Sequence, residues 1–168
     1  MQNIILIGPM GSGKTTVGKQ LAKRRRMEFV DSDHLIEERC GVSISTIFDI
    51  EGEDGFRKRE TKMLTELCER SGVVLATGGG AIASEGNRIL LRKSGYIVYL
   101  KTSIETQLAR TQRSQNRPLL ENVDIQEKLT ELMAERGVLY EQEADLIVAS
   151  GDRVVAKVVE EILSALDN

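Results

Sequence analysis

An apolar run, Ile4-Ile5-Leu6-Ile7, leads directly into Gly8-Pro9-Met10-Gly11-Ser12-Gly13-Lys14-Thr15, and Thr15 to Arg25 then carries a helical pattern. The eight residues match G-x-x-x-x-G-K-[ST], a phosphate-binding loop when it joins a strand to a helix. Strand, spacing and helix agree here, which narrows the chain to an α/β fold built around a nucleotide loop. In such a loop backbone N–H groups converge on phosphate oxygens, and the helix N-terminus adds its partial positive charge. Lys14 is then placed to reach the β- and γ-phosphates and the Thr15 hydroxyl to sit on Mg²⁺. Were this only a tight glycine turn, Lys14 would be one more solvated cation. The nucleoside triphosphate reading accounts for all three features.

Further along, apolar runs alternate with helical patterns, as βαβ units in a parallel sheet do. Strands are expected at Ile4–Ile7, Glu28–Val30, Val73–Ala76, Ile97–Leu100 and Leu146–Val148. Lys14–Arg25 and Asp33–Cys40 read as helices, the second closed by Gly41. A longer helix is expected from Gly52 to Arg70, with Phe56, Met63, Leu64 and Leu67 inward and Gly72 as its C-cap. Glu85–Lys93 follows. Thr102 opens the next helix with a capping box to Glu105, and Asp124 with Glu127 repeats the pattern before a helix to about Glu143. The last helix runs from Arg153 to Leu166, with Val155, Val158, Val159, Ile162 and Leu166 toward the sheet. No repeat or linker interrupts the 168 residues, so one domain is expected.

With 23 basic and 26 acidic side chains the chain has a net charge of −3, which argues against a nucleic-acid surface. No apolar run approaches the ~20 residues of a membrane span. Met1 leads straight into the first strand without a targeting pattern, so a cytoplasmic location is expected. Two cysteines without a C-x-x-C pair and a single histidine make zinc an unsuitable metal. Cys68 shares a helical face with Leu64 and Leu67 and reads as an inert thiol, and His34 as a surface residue or one behind the site.

One segment breaks the rhythm. Gln112 to Val123 is polar, carries two arginines and a proline, and separates two capped helices. It reads as a lid of about 112–124, because phosphoryl transfer needs water excluded, with Arg117 as its phosphate contact. A mobile surface loop is the plainer alternative.

Chemistry-bearing residues gather at predicted strand ends. In an extended Asp31-Ser32-Asp33 both carboxylates share a face at the carboxyl end of a strand, where ligands bind in open α/β sheets. One could hold Mg²⁺ through water while the other orients an attacking hydroxyl; an Asp/Ser helix cap is the alternative. The third strand ends in Thr77-Gly78-Gly79-Gly80, without the metal-binding aspartate of many P-loop ATPases and GTPases. No N-K-x-D sequence reads guanine. Gly78, Gly79 and Gly80 let backbone come close to a ligand and suit hydroxyl recognition, or else form a flexible turn. Arg57 and Glu60 lie one turn apart and can pair. Arg136 precedes Tyr140 on the helix after the lid. Either arginine alone fits a solvated face; together they suggest a bidentate grip on an anionic group.

These residues resemble the shikimate kinase family over nearly the whole chain. The matching stretches are Gly8–Thr16, Asp31-Ser32-Asp33, Ile47-Phe48-x-x-x-Gly52-Glu53-x-x-Phe56-Arg57-x-x-Glu60, Thr77–Gly80, Arg117-Pro118-Leu119 and Arg136-x-x-x-Tyr140. The resemblance implies a three-layer P-loop fold like that of nucleoside monophosphate kinases, with five parallel strands ordered 2-3-1-4-5 and a substrate region at about 32–60. It implies ATP-dependent phosphorylation of the shikimate 3-hydroxyl, in aromatic amino-acid biosynthesis, by a monomer using one Mg²⁺. By the same resemblance Asp33 holds the accepting hydroxyl and is the candidate base. Arg57 and Arg136 bind the shikimate carboxylate, and Gly79, flanked by Gly78 and Gly80, meets the ring hydroxyls. Gly11, Ser12, Gly13, Lys14, Thr15 and Thr16 hold the nucleotide, with Lys14 and Arg117 on phosphoryl charge. Thr15 ligates Mg²⁺ with support from Asp31, and Arg110 and Arg153 flank adenine.

Phosphoryl transfer depends on alignment and charge neutralisation more than on covalent chemistry. Proton transfer in a loose transition state is late, so Asp33 needs no raised pKa and serves first to orient. A gluconate kinase is the nearest rival, although Phe56-Arg57-x-x-Glu60 together with Thr77–Gly80 favours shikimate. A nucleoside monophosphate kinase lacks support, for no second base-reading group is visible. A non-catalytic nucleotide-binding scaffold would have lost Lys14, Asp33 or Arg117, and all three are present.

Overall fold

The computed structural model describes residues 1–113 and 122–168. Its five parallel strands are β1 (Asn3–Ile7), β2 (Glu28–Asp31), β3 (Val73–Ala76), β4 (Gly95–Lys101) and β5 (Leu146–Ala149), in the order β2-β3-β1-β4-β5. β1 is bonded on both sides, Ile5 standing opposite Leu75 of β3 and Ile97 of β4. Successive strand residues face opposite sides. Ile5, Ile7, Leu75 and Tyr99 therefore meet Phe56, Met63, Leu64 and Leu67 on one face, while Ile4, Leu6, Val74 and Val98 meet Val17, Leu21, Val158 and Ile162 on the other. Strands buried on both faces have no polar side to alternate, which explains the unbroken apolar runs. Each buried Leu or Ile contributes about 1.5–3 kcal/mol over its exposed state.

The helices are α1 (Lys14–Arg25), α2 (Ser32–Cys40), α3 (Ile44–Cys68), α4 (Glu85–Ser94), α5 (Ile104–Arg113), α6 (Asn122–Glu143) and α7 (Val155–Leu166), with a short 3₁₀ turn at Ala81–Ala83. Gly41 closes α2 with φ 73° and an N–H to the Glu37 carbonyl, as expected.

Several boundaries correct the sequence reading. α3 begins earlier than expected, at Ile44, where the Ser43 side chain caps it by accepting from the Thr46 N–H, and the expected start at Gly52 coincides with a break between its two helical segments. Gly52 (φ 74°, ψ 178°) is a kink inside α3, the left-handed backbone that glycine adopts without strain. Glu69 is its C-cap, and Gly72 instead donates its N–H to the Met1 carbonyl. The cap before α5 is Ser103, which accepts from the Thr106 N–H, while the Thr102 hydroxyl pairs with Ser150 at 2.7 Å. Asp124 lies inside the first turn of α6 instead of capping it. α7 starts at Val155, leaving Arg153 ahead of it. Residues 112–113 belong to α5 and 122–124 to α6, so both ends of the span expected as a lid are helical; Arg117, Pro118 and Leu119 lie outside the described residues.

Register decides where the site forms. Asp31 and Leu6 both stand opposite Ala76, and Lys101 opposite Ala149. The strands therefore end together, and one sheet edge collects the phosphate loop, Asp31, Thr77, Thr102 and Ser150.

Candidate active site

Between β1 and α1 the loop turns through positive φ at Gly8, Gly11 and Gly13. The Lys14 ammonium folds back over it and donates to the Gly8 carbonyl (2.7 Å), the Pro9 carbonyl (2.8 Å) and Ser12 Oγ (3.3 Å). Thr15 and Thr16 are exposed at the start of α1. The loop is held from the side as well. Ser150 Oγ donates to the Ser12 carbonyl at 2.8 Å. The Arg110 guanidinium donates to the Gly11 carbonyl and, at 3.0 Å, to that of Gly151. Arg110 thus sits against the loop. Arg153 turns instead to the Ala149 carbonyl (3.0 Å) and the Glu161 carboxylate.

Asp31 and Asp33 converge by a route other than the one expected. The backbone is extended only to Asp31, the N-cap of α2, and Ser32 already belongs to the helix. Asp31 Oδ1 accepts from the Asp33 N–H (3.0 Å) and the His34 N–H (3.2 Å), and its Oδ2 accepts from the Thr15 hydroxyl at 3.1 Å. Asp33, in the first turn, is directed inward, and its Oδ1 is buried with no hydrogen-bond partner among the described residues. Burial, then Glu60 and Asp31, push the Asp33 carboxyl up to about 6, against the pull of Lys14 and Arg57. Desolvation likewise brings Lys14 down to about 8, with Asp33 and Asp31 opposing. His34 is exposed, 3.8 Å from Glu38, as a surface residue should be.

The three glycines are the hinge of this arrangement. A Cβ on Gly78 would fall 2.5 Å from Asp33 Oδ1, and one on Gly80 would overlap the Arg57 guanidinium. One on Gly79 would meet the Met10 nitrogen of the phosphate loop at 3.4 Å. Any side chain at 78 or 80 would displace a candidate site residue, so glycine is needed for close approach. Arg57 donates to Glu60 at 2.9 Å and lies over the Phe56 ring, 5.2 Å from its centroid.

Glu60 is fully buried, its second oxygen has no partner among the described residues, and burial raises its pKa while Arg57 and then Arg136 lower it. Arg57 of α3 and Arg136 of α6 thus both lie near enough to Glu60 to act on its charge. Sequence reasoning took Glu60 only as a partner for Arg57; its burial comes from the packing of α3 on the sheet, which local spacing does not report. Tyr140 was read as a motif position, and its hydroxyl donates to the Gly79 carbonyl at 2.6 Å.

Thr15 and Asp31 offer one hydroxyl and one carboxylate 3.1 Å apart beside the loop. Hard oxygen donors of this kind suit Mg²⁺, which keeps most of its waters and takes the rest of its shell from phosphate. Among the described residues no group of three His, Cys, Asp or Glu side chains forms a metal cage. Nor is any described helix long and apolar enough to cross a membrane.

A family model described as shikimate kinase matches residues 10–167. The chain is 53% identical over 166 residues to a shikimate kinase of Pseudomonas aeruginosa (strain LESB58), covering 99% of this chain and 96% of that one. Among solved structures it is similar to a shikimate kinase from Acinetobacter baumannii in complex with shikimate, with a TM-score of 0.93, 46% identity and coverage of 99% and 93%. A gluconokinase from Sinorhizobium meliloti, at 18% identity, a TM-score of 0.63 and coverage of 99% and 91%, shares the fold alone.

Proposed function

The chain belongs to the shikimate kinase family, and from that premise we propose that it transfers the γ-phosphoryl group of ATP to the 3-hydroxyl of shikimate, giving shikimate 3-phosphate and ADP. The observation that carries this is the Gly78–Gly80 turn, which spaces a buried carboxylate, Asp33, from a guanidinium, Arg57, beside a phosphate loop. A carboxylate and a guanidinium set against neighbouring glycines of one turn suit an acceptor that carries both a hydroxyl and a carboxylate.

In this reading Asp33 accepts a hydrogen bond from the 3-hydroxyl and directs its oxygen at the γ-phosphorus. The new P–O bond forms as the bond to the β-phosphate oxygen breaks, and the hydroxyl proton passes to Asp33. A carboxyl pushed up to about 6 is ionised near neutral pH yet basic enough to take that proton. Lys14 releases its loop carbonyls to meet the β- and γ-phosphates, where transition-state charge spreads. Arg57 and Arg136 hold the shikimate carboxylate, Arg57 already fixed by Glu60. Arg117, outside the described residues, is assigned to phosphoryl charge. Thr15 and Asp31 would hold one Mg²⁺, which supplies charge neutralisation on the phosphates. A cytoplasmic monomer acting on small molecules, without nucleic acid, belongs to the same proposal. The net charge of −3 supports the absence of a nucleic-acid partner.

ADP release measured with shikimate, quinate, gluconate and nucleoside monophosphates tests the reading. Shikimate should be preferred by at least about a hundredfold in kcat/KM, the discrimination that buried polar recognition provides. Equal rates with gluconate would overturn it.

A further inference from the structure

We propose that Tyr140 is a positioning residue whose hydroxyl pins the Gly79–Gly80 peptide and so sets the distance between the Asp33 carboxylate and the Arg57–Arg136 clamp. This rests on the functional reading above. Tyr140 is buried in α6, one turn after Arg136. Its ring stacks on Tyr99 of β4, with centroids 5.0 Å apart and planes at 27°. From that stack the hydroxyl donates to the Gly79 carbonyl at 2.6 Å.

Gly79 stands between two glycines that each touch a site residue: Gly78 lies against Asp33 and Gly80 against Arg57. A peptide is a rigid plane, and no cis bond occurs among the described residues. Fixing the Gly79 carbonyl therefore also fixes the direction of the Gly80 N–H, which points the opposite way. Glycines have no side chain to hold such a plane, so the pin must come from elsewhere. Tyr140 supplies it from the helix that also carries Arg136, whose charge is close enough to oppose the upward push of burial on the phenol, raised to about 12. One hydroxyl thus joins both halves of the clamp.

Tyr140→Phe removes the pin and keeps the stacked ring. Shikimate KM should rise about fivefold to twentyfold, the loss of one buried hydrogen bond. ATP affinity measured without shikimate should stay within twofold, and discrimination against an analogue with a neutral hydroxymethyl in place of the carboxylate should fall. Tyr99→Phe deletes the hydroxyl of the neighbouring ring and should leave shikimate KM unchanged. A purely structural Tyr140 would lower the melting temperature and leave KM and discrimination as in wild type, which would overturn the inference.

A measurement on the wild-type protein covers the case in which Tyr140→Phe does not fold. The buried phenol should give a slowly exchanging, downfield hydroxyl proton that shifts when shikimate saturates the site; no shift overturns the inference. Wild type without shikimate-dependent turnover would sink the functional reading itself. Normal turnover with an unaltered Tyr140→Phe sinks the Tyr140 role alone.

Discussion

Lys14 and Asp33 each hold the other's charge against burial: desolvation brings the ammonium down to about 8 and the carboxyl up to about 6, and each opposes the other's shift. Turnover in the proposed reaction needs Asp33 ionised and Lys14 protonated. The kcat/KM profile of the free enzyme should therefore rise with pH through about 6 and fall above about 8. A profile flat from pH 5 to 9 would detach both groups from the chemistry.

Asp33→Asn keeps the shape and removes the charge. Turnover should fall by ~10²-fold or more while ATP affinity is nearly unchanged. The same variant should be more stable than wild type near neutral pH. The folded carboxyl, at about 6, lies above its ordinary value of 3.8, so the folded protein keeps a proton that the unfolded chain releases. Stability from that proton is complete below about 3.8 and lost as pH rises through about 6. Above that range asparagine relieves a buried charge, with a gain of about 1–3 kcal/mol that disappears in acid. Melting curves at pH 4 and pH 7.5 check the sign.

Lys14→Met removes the cation assigned to the transferring group. A charge-assisted contact made in the transition state contributes about 2–4 kcal/mol, so kcat should fall roughly 10²–10³-fold with the fold intact. Single-turnover rates at saturating ATP separate this from weakened nucleotide binding. A rate within threefold of wild type would show that Lys14 does not meet the γ-phosphate.

How much of this was legible in the sequence depends on the distance over which each feature is set. The strands, the phosphate loop and the cap at Gly41 follow from neighbours in sequence. The turn of α3 before Gly52 was hidden, because one left-handed glycine inside a helix looks like a helix start until the Ser43 cap is seen. Asp31 and Asp33 were recognised as a pair but placed on an extended strand; the Asp31 side chain caps α2 and bends the chain there. Glu60 and Tyr140 owe their roles to contacts across sequence. Tyr140 meets a carbonyl 61 residues away, a relationship that no spacing encodes.

Glu60 offers a test of the electrostatics apart from the substrate. Its carboxylate is the largest charge acting to raise Asp33, after burial itself. Glu60→Gln should move the acid limb of the kcat/KM profile to lower pH. Because the Arg57 fork also loses its 2.9 Å ionic partner, shikimate KM should rise in the same variant. An acid limb that stays in place would mean that Glu60 is protonated in the working enzyme.

Arg57 and Arg136 provide the sharpest discrimination between shikimate and an uncharged acceptor. They stand on separate helices, α3 and α6, and both act on Glu60 and Tyr140. If both hold one carboxylate, each truncation to Ala should cost about 1.5–3 kcal/mol, tenfold to more than a hundredfold in shikimate kcat/KM. Lysine should restore little, because a single ammonium does not reproduce the planar two-donor fork. The double variant should lose less than the sum: with one arm gone the carboxylate rotates and the second arm holds it less well. ATP binding without shikimate should be untouched in every case. The control is the neutral hydroxymethyl analogue, which wild type should use poorly and the arginine variants should scarcely distinguish from shikimate. Equal wild-type efficiency on the acid and the neutral analogue would remove the carboxylate clamp, and with it the main reason the site fits this acceptor better than a plain polyol.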